Sequence, residues 1–271
     1  MKYVQVQFAF QPAEQNEIII AMLADMGFEG FEENENVLTA FINQDKFDQP
    51  LLDLFTSSNN LTYTLLVIEQ QNWNAAWESS FEPVVISNFA AVRAGFHEPV
   101  KDVQYEVIIT PKMSFGTGHH ATTYLMMEQM SSLDFKGKSV LDFGTGTGVL
   151  AILAEKMGAT SILAIDNDEW SIDNAKENIV NNKALHIELE KAETISTGRK
   201  FDIILANINL NVILHNMQAI YSVCKGGTEV LLSGFLSTDA DTIKAALEAK
   251  GLTFKAMSQQ KDWICIKAHL P

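Results

Sequence analysis

Apolar and polar residues alternate from Tyr3 to Phe10, and the period turns helical over Ala13 to Met26. There Ile18, Ile19, Met22, Leu23 and Met26 form one stripe that Gly27 is placed to end. Strand patterns follow at Phe31 to Glu33, Val37 to Ile42 and Tyr63 to Glu69, with a second helical stretch from Gln49 to Ser57. The order strand, helix, strand, strand, helix, strand predicts a small α+β sandwich of the ferredoxin-like kind. Polar residues 69–72 then lead into Trp73 to Pro83, read as a joint carrying a helix. Its Trp73 and Trp77 share one helical face, which favours core packing over a ligand cage.

From Lys138 onward strands and helices alternate. Strands are predicted at Ser139 to Phe143, Ile162 to Asp166, His186 to Glu190, Phe201 to Ala206 and Glu229 to Ser233. The helices between them are predicted at about Val149 to Met157, Glu169 to Asn182, Asn211 to Cys224 and Asp239 to Lys250, an alternation that builds a parallel sheet. Leu252 to Met257 and Trp263 to Lys267 are joined only by the short polar segment Ser258 to Asp262, so they must pair antiparallel. A mostly parallel, Rossmann-like sheet of seven strands finished by an antiparallel hairpin is the pattern of class I methyltransferases. The domain organisation predicted is 1–68 as the small α+β module, 69–82 as a linker with a helix, and 83–271 as the α/β domain.

Composition limits what such a chain can do. With 271 residues, 47% hydrophobic and 20% charged, it has ample material for a core. Cys224 and Cys265 lie far apart and outside any Cys-x-x-Cys spacing, which argues for buried free thiols. The chain begins directly with an alternating strand, and no apolar run nears the roughly 18 residues of a membrane span. Cytoplasmic residence without membrane association is the expectation. A net charge of −15 repels a phosphate backbone, so direct nucleic-acid binding is not expected. Residues 1–65 hold ten Asp and Glu against Lys2 and Lys46, either a face kept for solubility or a docking surface for a basic partner.

Chemistry enters with Asp142-Phe143-Gly144-Thr145-Gly146-Thr147-Gly148, between an apolar strand and an apolar helix. Glycines there allow positive φ and close approach of a ligand to the backbone, and Asp166, about twenty residues on, is placed to hold a ribose diol. Every second residue of the loop is small, unlike Gly-x-Gly-x-x-Gly, and that spacing leans toward S-adenosylmethionine. The N-terminus of the following helix offers N–H groups to the cofactor's carboxylate. Asp142 is expected to organise the loop or meet the ligand ammonium, and Asp168 reads as a helix N-cap.

At Asn207 the apolar run 203–206 stops at an amide, which either caps a helix or accepts a hydrogen bond from a substrate amine and aims its lone pair at a methyl group. No proline or aromatic ring follows it, so stacking of a flipped base is unsupported. Upstream, residues 111–123 crowd two glycines, three threonines and two histidines into one loop. The functional reading is a loop over the ligand, with Thr122 or Thr123 capping the next helix. His119 and His120, being adjacent, point apart and make a poor metal pair; no metal is expected.

Phe115-Gly116-Thr117-Gly118-x-His120-x-Thr122-Thr123, Leu141-Asp142-Phe143-Gly144-x-Gly146-x-Gly148, Ile165-Asp166-x-Asp168 and Ala206-Asn207-Ile208, with Trp77 and Phe81 ahead of them, closely resemble one family. It is the PrmA type of methyltransferase that modifies ribosomal protein L11 of the large subunit. The resemblance covers about residues 73–267. Departures from the family pattern are His119, Ala121, Thr145 and Asn209. It implies that Thr123, Gly144, Asp166 and Asn207 bind S-adenosylmethionine, with Phe115 and Thr117 in the covering loop. Asp142, Gly146 and Gly148 complete the expected cofactor site, and Asn207 is also the expected catalytic residue. It further implies methylation of lysine and N-terminal amines of L11, recognised by the N-terminal module; the protein is expected to act as a monomer.

Overall fold

The computed structural model describes residues 3–9, 13–34, 37–68, 81–112 and 116–271. The expected helix and aromatic pair at Trp73 and Trp77 lie outside these. The chain divides into two compact units, Met1–Ser80 and Phe81–Pro271.

In the first unit β1 (Tyr3–Ala9), β2 (Gly30–Asn34), β3 (Val37–Asn43) and β4 (Tyr63–Ile68) form one antiparallel sheet in the order β2-β3-β1-β4. With α1 (Ala13–Asp25) and α2 (Gln49–Ser58) this is the ferredoxin-like order predicted. Alternation decides the faces: Val4, Val6 and Phe8 of β1 and Leu38, Ala40 and Ile42 of β3 are buried against Ile19, Leu23, Leu52 and Phe55. Met22 belongs to the predicted stripe yet is 41% exposed, on the outer flank of α1. Gly27 ends that helix as expected: at φ +94° it turns the chain so that Phe28 N–H reaches Leu23 O.

The second unit holds a seven-stranded sheet in the order β10-β9-β8-β11-β12-β14-β13. Its strands are β8 (Ser139–Phe143), β9 (Ser161–Asp166), β10 (Ile187–Lys191), β11 (Phe201–Asn207), β12 (Cys224–Leu236), β13 (Thr253–Gln260) and β14 (Trp263–His269). β8 to β12 run parallel, and β14 pairs antiparallel with both β12 and β13. Side chains alternate between two cores. Val140, Ile162, Ala164, Ile203 and Leu205 join one, with α3 (Ala121–Met130) and α4 (Val149–Lys156). Leu141, Leu163, Ile165, Ile204 and Ala206 join the other, with α6 (Leu210–Ser222) and α7 (Ala240–Glu248). Helices on both faces explain why the central strands read as unbroken apolar runs.

Element ends differ from the sequence reading at several places; β12 begins at Cys224 rather than Glu229, and the helix before it ends at Ser222. β12 does not stop at Ser233: Gly234, at φ +100°, takes a register shift between Ser233 and Phe235, and pairing with β14 resumes. The polar residues Ser258, Gln259 and Gln260 are strand, so only Lys261 and Asp262 turn the final hairpin. A third sheet, β5 (Val84–Ile86), β6 (Ala90–Ala94) and β7 (Tyr105–Ile109), precedes α3 and has no counterpart in the sequence reading. β6 reads Ala-Ala-Val-Arg-Ala and is buried along its whole length. α5 (Glu169–Asn181) follows β9.

Candidate active site

A cleft of about 440 Å³ opens at the carboxyl ends of the parallel strands, where a doubly wound sheet binds its ligands. Gly144 and Gly146 after β8, Asp166 at the end of β9, Ala192 and Glu193 after β10, and Asn207 at the end of β11 all line it. That size is within the usual range for small-molecule sites.

The loop between β8 and α4 is built on left-handed backbone, with Gly144, Gly146 and Gly148 at φ +78°, +55° and +80°. Its polar groups are largely used within the protein. Gly144 and Thr145 N–H both donate to Ile165 O at 2.8 and 2.9 Å, and Gly146 N–H donates to Asp166 Oδ2 at 2.8 Å. The Asp166 carboxylate thus closes the loop onto β9 while lining the cleft, and its Oδ1 accepts Asp168 N–H. A Cβ on Gly144 would lie 2.1 Å from Ile208 Cγ2, so the two cleft walls meet at van der Waals contact there.

Asp142 is fully buried and does not line the cleft. Its Oδ2 accepts from Thr145 Oγ1 at 2.6 Å, and it faces the backbone N–H of Ala151 in the first turn of α4. Gly148 gives that helix no side-chain cap, and the Asp142 carboxyl lies beneath its first turn. Burial pushes its carboxyl up to about 7.

Asn207 is 7% exposed, with Nδ2 donating to Thr123 Oγ1 at 3.2 Å. Its Oδ1 is buried and accepts nothing from the described residues. The cap of α6 is Asn209, through Val212 N–H at 3.0 Å, so the helix-cap alternative for Asn207 does not hold. Likewise Asp168 caps α5 through Ser171 N–H, as predicted. The cap of α3 is neither Thr122 nor Thr123 but His120, whose Nδ1 accepts Thr122 N–H. His120 lines the cleft beside Trp263, ring centroids 4.6 Å apart and edge to face, and burial lowers its pKa. His119 points elsewhere, its Nε2 lying 2.9 Å from Glu82 O.

A family model described as "Ribosomal protein L11 methyltransferase (PrmA)" matches residues 4–270. The chain belongs to that family. Among its relatives, the ribosomal protein L11 methyltransferase of Porphyromonas gingivalis is 39% identical, covering 98% of this chain and 97% of that protein. The one from Phocaeicola vulgatus is 36% identical, with 98% and 99% covered. A crystal structure of ribosomal protein L11 methylase from Lactobacillus delbrueckii subsp. bulgaricus superposes with a TM-score of 0.65 at 29% identity, covering 69% of this chain and 98% of that one. The mostly parallel seven-stranded sheet ending in an antiparallel hairpin is thus the class I methyltransferase fold predicted from the sequence.

In this member of the L11 methyltransferase family, Gly144, Gly146, Asp166 and Asn207 come together at the cleft. Thr123 stands behind Asn207, while Thr117 is hydrogen-bonded to His119, Gly148 is buried at the head of α4, and Asp142 lies beneath the loop. Phe115 lies outside the described residues. Sequence reasoning missed Trp263 and Gly234, which also line the cleft. Gly234 carried a signal: a Cβ there would sit 2.2 Å from Ile208 O, and a glycine inside an apolar strand marks such close backbone approach.

Proposed function

We propose that this chain is an S-adenosylmethionine-dependent methyltransferase acting on amino groups of ribosomal protein L11, both lysine side chains and the α-amine. The observation that carries the reading is the buried Oδ1 of Asn207, an acceptor without a partner in the wall of the cleft. The cleft fits the cofactor: it offers the Asp166 carboxylate for a ribose diol and Glu193 as a second acid, and no Lys or Arg is among its described lining residues. A site for a sulfonium and an ammonium needs no cation of its own, whereas a dinucleotide would bring phosphates to be neutralised.

When bound, S-adenosylmethionine supplies a methyl group already activated by positive sulfur. The protein's task is therefore to place a neutral amine in line with that methyl and keep water away. Asn207 Oδ1 accepts an amine N–H and directs the nitrogen lone pair, and Thr123 Oγ1 holds the amide in that orientation through Nδ2. Burial lowers the pKa of His120, which favours the uncharged ring beside the incoming amine.

The acidic first unit is read as the recognition module for the basic ribosomal protein, the enzyme acting as a monomer in the cytoplasm, where ribosomal proteins are made. Labelled S-adenosylmethionine and purified ribosomal proteins test the whole reading. Label should appear on L11 and be lost with Asp166→Ala; no label on any protein, with Asp166→Ala indistinguishable from wild type, would overturn it.

A further inference from the structure

Helix α5 buries two amides, Asn174 and Asn178, and ends on a third, the half-buried Asn182 at its C-cap, each four residues from the next. Buried amides are costly unless hydrogen-bonded, so what each one holds is informative. Asn182 serves the outer edge of β7: its Oδ1 accepts Ile108 N–H at 3.0 Å and its Nδ2 donates to Ile108 O at 2.5 Å. Asn178, fully buried, joins two different segments. Its Oδ1 accepts Thr110 N–H at 2.7 Å, and its Nδ2 donates to Thr147 O at 2.9 Å and to Asn174 Oδ1 at 2.9 Å.

Thr147 continues the connection. It is fully buried between Gly146 and Gly148, and its Oγ1 donates to Gly116 O at 2.7 Å. A Cβ on Gly116, at φ +105°, would lie 2.7 Å from that Oγ1, so the backbone approaches the hydroxyl as closely as it can. Thr110 and Gly116 stand at either end of the passage from β7 toward α3, and the chain from Gly116 runs on to His120 in the cleft wall. One amide thus holds Thr110 directly and Gly116 through Thr147.

We propose that Asn178 is a positioning residue for the methyl-transfer site: acting through Thr147, it sets the glycine loop and the Gly116 to His120 segment in one fixed relation, without lining the cleft itself. The inference rests on the methyltransferase reading above.

The test uses the full-length chain, with hydrogen exchange at residues 116–120 measured without ligand and S-adenosylhomocysteine affinity measured by calorimetry. Asn178→Leu removes the bonds to Thr110, Thr147 and Asn174, and Thr147→Val removes only the hydroxyl bond to Gly116. Each should weaken affinity about tenfold and speed exchange at 116–120 by a similar factor, the scale of one lost buried hydrogen bond. The double variant should be no worse than the poorer single one, because the two residues act in series. Should Asn178→Leu not fold, Asn178→Asp keeps the Thr110 bond, loses the donations to Thr147 O and Asn174 Oδ1, and carries the same expectation. Effects that multiply in the double variant, or a lowered melting temperature with exchange and affinity unmoved, would overturn the proposal and leave Asn178 a support for β7 alone. A wild-type chain that does not bind the probe would count against the methyltransferase reading, and the exchange rates would then decide this proposal by themselves.

Discussion

The glycine loop and the end of β11 face each other across one cleft, and the loop spends its polar groups inward while β11 ends on an unspent acceptor. Gly144, Thr145 and Gly146 give their N–H groups to Ile165 and Asp166, and Asp142 takes the Thr145 hydroxyl. Asn207 keeps Oδ1 buried and unsatisfied. A wall whose backbone N–H groups are taken up internally contributes shape; an unpaired buried acceptor on a residue that lines the cleft contributes a binding direction, since an unmet polar group costs free energy until a ligand arrives. The two should therefore fail differently when altered.

The largest effect is expected at Asn207. Replacing it with Ala should lower the methyl-transfer rate by about 10²–10³-fold, the scale of a lost directing group, with S-adenosylhomocysteine affinity kept within about threefold. Equal losses in rate and affinity would erase the distinction drawn above. Next comes Gly144→Ala, which drives a Cβ to 2.1 Å from Ile208 Cγ2 at a backbone φ of +78°. It should destabilise the fold by about 1–3 kcal/mol and widen the cleft enough to cost roughly tenfold in cofactor affinity. Calorimetry on Gly144→Ala combined with Ile208→Ala should show part of that affinity restored.

Asp142 sharpens the comparison through pH. Its folded pKa of about 7 lies above the ordinary 3.8, so the folded state holds this proton more tightly than the unfolded chain. Its contribution is complete below about 3.8 and is lost as pH rises through about 7. Denaturation of the wild type and Asp142→Asn across that window should show the variant gaining relative stability with rising pH, on the order of 4 kcal/mol. A difference independent of pH would show that the carboxylate is not titrating in that window. The smallest effect belongs to the Lys112–Glu177 pair, 2.5 Å long but with side chains 47% and 40% exposed. Lys112→Met should change stability by less than about 0.5 kcal/mol and leave cofactor affinity unchanged.

Legibility followed the kind of interaction that forms each part. Alternation at Val140 and Leu141, or at Ile203 to Ala206, records which face of a strand meets which core, and each residue carries that preference itself. Gly144, Asp166 and Asn207 were legible because each stands where a strand pattern stops, which in a parallel sheet is where ligands bind. β6 was not legible: alanines and an arginine mark no period, and Arg93 is buried only because Glu106 and the His97 carbonyl receive it. His120 as a cap and Asn178 as a tie were equally hidden, since the partners of Asn178 lie 68 and 31 residues away.

By itself the sequence determined the class I methyltransferase fold, with its parallel strands and final antiparallel hairpin, and the residues standing at the strand ends. Those follow from periodicity and from backbone conformations that glycine alone adopts cheaply. Tertiary structure decided what each polar group does once there: Asp142 under the loop, Asn209 rather than Asn207 as the cap, Gly234 against Ile208, and Thr147 held from both sides. A hydrogen bond belongs to two groups at once, and no pattern along one stretch of chain states where the second group will be.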